Sequence, residues 1–334
     1  HRSGAPRETV MTQTLDLTLV ADIGGTNTRV ALASGPTLQP GSIRRYRNAE
    51  AGSLSEVFQS YLAETGARPV AACVAGAGPV MDGVLRMTNL SWVIDEACVR
   101  EASGVGRVAV LNDLQAQGHA LSHLGGDDLR PLLNEGQGAG STRLVIGLGT
   151  GMNIAMVFEH GGITLVPPSE AGHMSLALRR PDELGLAEFL RSEGEFASVE
   201  EALSGRGLQA LYRWRRAEAG DPGAKPPAEI MAGVADGSDA QAIEAAEYYV
   251  RFTGRVAGDL ALAQLPFGGI YFIGGVSRSL APYFDRMGFG ASFRDKGRFS
   301  EFMDQFPVWL IENDEAALLG CASHMAEIMA LAPA

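Results

Sequence analysis

Asn112-Asp113 follows an apolar strand-like run, Arg107–Leu111 (RVAVL), and precedes a helical stretch, Leu114–Leu124. A carboxylate at a strand's C-terminal end can accept or orient a hydroxyl proton if it lies within hydrogen-bond reach. The neighbouring amide can position a polar ligand, and α/β sheets commonly place functional groups at such ends. Asn and Asp are also favoured helix N-caps, and on the sequence alone capping is the stronger account of the pair.

Two glycine turns carry the second kind of chemistry. Asp22–Asn27 (DIGGTN) contains Gly24, Gly25, Thr26 and Asn27, and Gly149-Thr150-Gly151 repeats the type later in the chain. Successive glycines let backbone N–H groups converge on an anion with no Cβ in the way. Thr26 and Thr150 add hydroxyl donors. Ordinary hairpin turns use the same residues. Asp22 could hold a magnesium ion directly or through water, or it could bond its own turn. Glu170-Ala-Gly-His173 sets two polar groups three residues apart, which reads as a hydrogen-bonding pair for sugar hydroxyls or equally as a loop Glu and a surface His. A zinc reading would need a third ligand nearby, and the sequence offers none. Thr88-Asn89 ahead of Trp92 reads as a turn or as a sugar contact.

These residues need elements to hold them. Leu15–Ala21 and Thr28–Ala33 flank the first turn as strands, and Arg143–Leu148 and Asn153–Phe158 flank the second. Neither turn leads into a helix, unlike Walker and Rossmann loops. Gly24 and Gly149 stand 125 residues apart, which suggests two similar halves facing a cleft. Val70–Ala75, Gly269–Ile273 and Val308–Ile311 add strands. Helices are expected at Leu54–Thr65, Asp182–Ser192, Val199–Ala219, Ala240–Leu265 and Glu315–Leu331. Strands alternating with helices give an α/β class.

Bulk properties exclude several partners. The 334 residues are 46% hydrophobic, enough for two domains, and carry a net charge of −12. An acidic surface disfavours nucleic acid and anionic membranes, and no apolar run approaches the ~20 residues of a membrane span. Cys73, Cys98 and Cys321 are sparse and form no CxxC pair, which argues for a reducing compartment. Residues 1–10 (HRSGAPRETV) read as an expression remnant before a natural start at Met11.

DIGGTN at Asp22–Asn27, LND at Leu111–Asp113, GTG at Gly149–Gly151, SEAGH at Ser169–His173, SGRGL at Ser204–Leu208 and FIGGV at Phe272–Val276 together resemble the proteobacterial-type glucokinases, in the family's order from about residue 17 to the C-terminus. That family belongs to the wider hexokinase, actin and Hsp70 ATPase fold. The resemblance implies an actin-like ATPase (ribonuclease H-like) fold with two α/β domains flanking a cleft. Residues 12–112 with 316–334 would form the small domain and 113–315 the large one, with 1–11 set apart. It implies a cytoplasmic homodimer that phosphorylates glucose with ATP and Mg2+. Asp113 resembles the family's general base and Asn112 its sugar-binding neighbour. Glu170, His173, Glu200 (in ASVEEALSG) and Asn89 (in MTNLSW) match its other sugar contacts. Gly24, Gly25, Thr26 and Asn27 resemble the first phosphate loop, with Asp22 at the metal. Gly149, Thr150 and Gly151 resemble the second phosphate loop, and Gly274-Gly275 the adenosine loop.

Two departures accompany the match: the family's PGEGGH is PSEAGH here, and its GTGLG is GTGMN. The CxCG zinc motif of the related repressor/kinase group is absent. Competing expectations are a kinase for fructose, mannose or an amino sugar, a sugar-sensing regulator without catalysis, and an actin-like assembly protein.

Overall fold

The computed structural model describes residues 16–87, 90–136, 138 and 140–331. Asn89 lies outside the described residues, and so does the sugar contact expected there. The chain opens with an antiparallel hairpin, β1 (Leu17–Ile23) and β2 (Asn27–Ser34), with β3 (Thr37–Leu38) and β4 (Arg44–Arg47) both pairing with β2. Helix α1 (Leu54–Thr65) starts at Ser53, whose hydroxyl accepts the Glu56 N–H, and stops at Gly66 in the left-handed region. Strand β5 (Ala71–Gly76) then returns parallel to β1. A small sheet of β6 (Val80–Met81), β7 (Val84–Arg86) and β8 (Val93–Ile94) precedes α2 (Glu96–Ser103), β9 (Arg107–Asn112) and α3 (Asp113–Ala120).

The second half begins with β10 (Leu129–Leu133), followed by the hairpin β11 (Thr142–Leu148) and β12 (Met152–His160) and its edge strand β13 (Ile163–Leu165). Helices α4 (Leu184–Ser192), α5 (Val199–Ala202), α6 (Gly205–Glu218), α7 (Pro227–Asp236) and α8 (Ala240–Gln264) follow. The chain closes with β14 (Ile270–Ile273), α9 (Gly275–Leu280), α10 (Phe289–Arg294), β15 (Val308–Ile311) and α11 (Ala316–Leu331).

The two main sheets share one plan. The first is ordered β3-β2-β1-β5-β9, and the second contains β13-β12-β11-β14-β15, with β10 added at its outer edge. In each, a glycine turn closes the inner hairpin and two parallel strands extend the sheet on the other side. The repeat suggested by the two turns is therefore one of topology.

Side-chain alternation assigns the faces. On β1, Leu19, Ala21 and Ile23 pack with Phe58 and Tyr61 of α1 and Val99 of α2, while Val20 faces Leu318, Cys321 and Met325 of α11. On β11, Leu144, Ile146 and Leu148 pack with Tyr249 and Phe252 of α8, while Val145 faces Leu114 and neighbours of α3. Each sheet thus receives the helix that follows the other sheet's last strand. These two helices, α3 and α11, meet closely. A Cβ on Gly320 would lie 1.7 Å from the Ala116 carbonyl oxygen, so only glycine permits this approach.

One expected element is corrected. Val199–Ala219 is not a single helix but α5 and α6 with a break at Leu203-Ser204. Ser204 caps the new helix by accepting the Gly207 N–H at 3.0 Å, and the Gly205 N–H donates to the Gly149 carbonyl at 2.8 Å. The break brings the start of α6 onto the second glycine turn.

Candidate active site

The C-terminal ends of β1, β5 and β9 lie level, with Ile23, Gly76 and Asn112 in one row. Asp22 and Leu111 flank Ala75 in the row before it, roughly 10 Å apart for two strand spacings. Asn112 caps α3: its Oδ1 accepts the Leu114 N–H at 2.9 Å and the Gln115 N–H at 3.1 Å. Gln115 Oε1 accepts the Asn112 N–H in return, completing a capping box. Asn112 Nδ2 donates to the Gly78 carbonyl at 3.2 Å. The capping account therefore holds for Asn112, and it fixes the residue beside it.

Asp113 opens the helix, and its carboxylate accepts the Leu114 N–H at 2.9 Å, with its own N–H and the Asn112 side chain also acting on it. Burial, and secondly repulsion from Asp22, push its carboxyl up to about 6; the hydrogen bonds it accepts oppose this. Such a group is ionised at neutral pH yet basic enough to take a proton in a transition state.

Asp22 pairs with Arg29 on β2 at 2.9 Å rather than with its own turn. Burial pushes its carboxyl up, while Arg29 pulls it down. Arg29 also donates to the Asp314 carbonyl at 2.5 Å, beyond the end of β15. The turn itself is closed by the Gly24 N–H donating to the Asn27 carbonyl at 2.9 Å. Buried Asn48 fastens it: Nδ2 donates to the Gly24 carbonyl, Oδ1 accepts the Thr28 hydroxyl, both at 2.8 Å, and its N–H donates to the Thr26 carbonyl. Gly25 is partly exposed, and Thr26 is exposed at the tip.

The second turn is held differently. Its Gly149 N–H donates to the Gly151 carbonyl at 2.9 Å, and Thr150 is exposed at the tip. Glu200 Oε2 accepts the Met152 N–H at 2.8 Å, while Glu200 Oε1 pairs with Arg206 at 3.1 Å. Ser169–His173 lies across the same turn. A Cβ on Gly172 would fall 2.1 Å from the Met152 carbonyl oxygen, so the loop sits flat on the turn only with glycine there. Glu170 and His173 bracket a single 3-10 turn, the His173 N–H donating to the Glu170 carbonyl at 3.1 Å. Both side chains are exposed, and among the described residues neither has a hydrogen-bond partner for its side chain. Glu170, His173 and Glu200 are thereby gathered on the second turn.

Gly274-Gly275 follows β14, and the Gly147↔Ile273 register sets it beside the second turn. Among the described residues no three His, Cys, Asp or Glu side chains cluster as a metal cage. Asp22, at the end of β1 and paired with Arg29, offers a carboxylate oxygen, the donor type magnesium takes.

Sequence reasoning misses three contributors. Asn48 carries no motif and acts through contacts 20 and 24 residues away. Arg29 lies within the quoted strand, and its charge beside DIGGTN is the available signal. Asn313-Asp314 repeats the Asn-Asp pair between β15 and α11, whereas Asn112 ends β9 and Asp113 opens α3. Asp314 pairs with Arg278 of α9 and so belongs to an ion-pair network, while among the described residues Asp113 pairs with no cation.

Comparison with known proteins follows the same outline. A family profile described as Glucokinase matches residues 19–328. A glucokinase of Chromohalobacter salexigens is 37% identical over 318 residues, covering 93% of this chain and 98% of that protein. One of Tolumonas auensis is 33% identical over 311 residues, covering 92% and 96%. The crystal structure of glucokinase from an Antarctic psychrotroph superposes with a TM-score of 0.83 at 30% identity, covering 92% of this chain and 98% of that one.

Proposed function

The chain belongs to the glucokinase family, and from that premise we propose how its residues carry out ATP-dependent phosphorylation of glucose. It has the actin-like ATPase fold with two α/β domains. Residues 12–112 with 316–334 make the small domain and 113–315 the large one. This division rests on the exchange of α3 and α11 between the sheets.

Glucose binds over the second turn through Glu170, His173 and Glu200, with Asn112 at the end of β9 completing the described set; Asn89 is a further contact that the resemblance implies. The two glycine turns cradle the phosphates of ATP, and Gly274-Gly275 meets the adenosine. Asp113 accepts the proton of the primary hydroxyl as that oxygen attacks the γ-phosphorus. Glucose 6-phosphate and ADP result. Backbone N–H groups directed at the phosphates lower the barrier electrostatically, and a base of this kind contributes ~10²–10⁴-fold. Asp22 is the carboxylate placed to meet magnesium directly or through water, and that ion when bound offsets charge on the phosphate oxygens.

The observation that carries the reading is Asp113: a buried carboxylate just past a strand end, without a cation partner among the described residues, with its pKa raised to about 6. Turnover on a panel of glucose, fructose, mannose and glucosamine tests it. Glucose should lead in kcat/KM; a larger value for another hexose would reassign the substrate. Three cysteines without a disulfide fit a cytoplasmic enzyme, and no helix of the described residues is long and apolar enough to cross a membrane. A homodimer is the expected assembly, and sedimentation of the purified enzyme tests it.

A further inference from the structure

Two segments of the site touch each other: Asn153, two residues after the second glycine turn, and Ser169–Ala171, the residues around Glu170. Asn153 Oδ1 accepts the Ala171 N–H at 3.0 Å and also its neighbour's, Ile154, at 2.8 Å. Its Nδ2 donates to the Ser169 carbonyl, and Ser169 Oγ accepts the Ala171 N–H at 3.2 Å. The side-chain amide therefore holds the backbone on both sides of Glu170, and it does so from the first strand residues after Gly149-Thr150-Gly151. Glycine at 153 could make none of the side-chain bonds.

Alanine at 171 and serine at 169 narrow the backbone freedom of the same loop. The three side chains act in one direction: they fasten the loop bearing Glu170 and His173 to the second turn. A part-buried amide bonded at both ends resists displacement, since moving it leaves polar backbone groups unpaired.

We propose that Asn153 is a positioning residue that couples the nucleotide turn to the sugar loop, so that nucleotide and glucose strengthen each other's binding through it. The inference rests on the reading above, in which Gly149–Gly151 receives phosphate and Glu170 receives sugar. Coupling between two sites is reciprocal, each ligand changing the other's affinity by one factor, commonly ~5–150-fold. Asn153 itself need touch neither ligand.

Calorimetric titration of the full chain with glucose, with and without Mg-AMPPNP, provides the test. In the unmodified protein AMPPNP should tighten glucose binding at least ~5-fold. Asn153→Ala should reduce that factor below about 2-fold while AMPPNP alone binds as before. Asn153→Asp keeps the acceptor for the Ala171 N–H and loses the donor to Ser169, so it should fall between. Because Asn153 acts through Glu170, Asn153→Ala should change glucose affinity little once Glu170→Ala is present. Additive losses in that cycle, or undiminished coupling in Asn153→Ala, would overturn the proposal while leaving the sugar site standing. Unchanged glucose affinity in Glu170→Ala alone would overturn the sugar-site reading and the proposal with it. Should Asn153→Ala unfold, Asn153→Asp carries the same cycle.

Discussion

The two glycine turns hold the same place in their sheets and are held there by different chemistry. Each closes an antiparallel hairpin whose inner strand runs on into parallel partners. The first is fastened by the neutral side chain of Asn48 and flanked by the Asp22–Arg29 ion pair. The second is fastened by the Glu200 carboxylate and the start of α6, and it carries the Glu170–His173 loop. Duplicated topology sets where a turn stands; side chains brought from elsewhere in the chain set what it is connected to. The first turn is connected to charge and the second to the Glu170–His173 loop, so, on the proposed roles, damage to what each turn is fastened to should appear with a different substrate.

The comparison breaks most severely at Gly172. Alanine there must push the sugar loop off the Met152 carbonyl, and a displacement of about 1 Å can cost ~100-fold in rate. Gly172→Ala should lower kcat/KM for glucose on that scale and leave AMPPNP affinity nearly unchanged; equal losses for both would mean the turns are not separable. Asn48→Ala is the counterpart in the first turn. Unpairing the buried Thr28 hydroxyl and Gly24 carbonyl costs about 1–3 kcal/mol each, so KM for ATP should rise ~10-fold with a lower melting temperature. Glucose affinity measured without nucleotide should stay put, and a matching loss there would refute the division of labour.

Much of this was legible in the sequence, and for a physical reason. Apolar runs on either side of DIGGTN and GTG announce hairpins because strand and turn preferences are local. The same locality places Asn112-Asp113 at the end of β9. What stays hidden depends on distant partners. Arg29 reaching Asp314 spans 285 residues, and the α3–α11 crossing depends on Gly320 meeting Ala116, which no window of sequence reveals. The break at Ser204 is concealed because the helical period continues through it, while the contact that explains it is with Gly149. Asn153 stands out in the sequence as an added side chain, but its bonds to Ser169 and Ala171 exist only in three dimensions.

Smaller effects sharpen the picture. Arg206 is exposed and bridges Glu200 and Glu201, while Glu200 keeps its bond to Met152 without it. Arg206→Met should therefore raise KM for glucose only about 2–5-fold, the range of an exposed ion pair, and leave KM for ATP alone. The smallest effect concerns the helices behind both turns. His119 on α3 lies against His324 on α11, ring centroids 4.2 Å apart, and its Nδ1 is buried without a partner. Burial, and then His324, hold His119 down at about 3. The unfolded chain binds that proton below about 6.5 and the folded protein does not, so stability is lost as pH falls through that value. His119→Gln should show a smaller drop in melting temperature between pH 7 and pH 5 than the unmodified protein; an identical drop would free His119 of this role.

The central claim is that Asp113 takes the hydroxyl proton, and the pH dependence of kcat/KM for glucose, compared between the unmodified enzyme and Asp113→Asn, tests it most directly. In the unmodified enzyme kcat/KM should rise as pH increases through about 6 and then level off, because the protonated carboxyl cannot accept a proton. Asp113→Asn should lose ~10²–10⁴-fold in kcat and with it the rising limb. It should also melt higher than the unmodified protein above pH 6, since a raised carboxyl pKa costs the folded state stability once the group ionises. Near-normal turnover in Asp113→Asn, with the acidic limb still in place, would contradict the assignment.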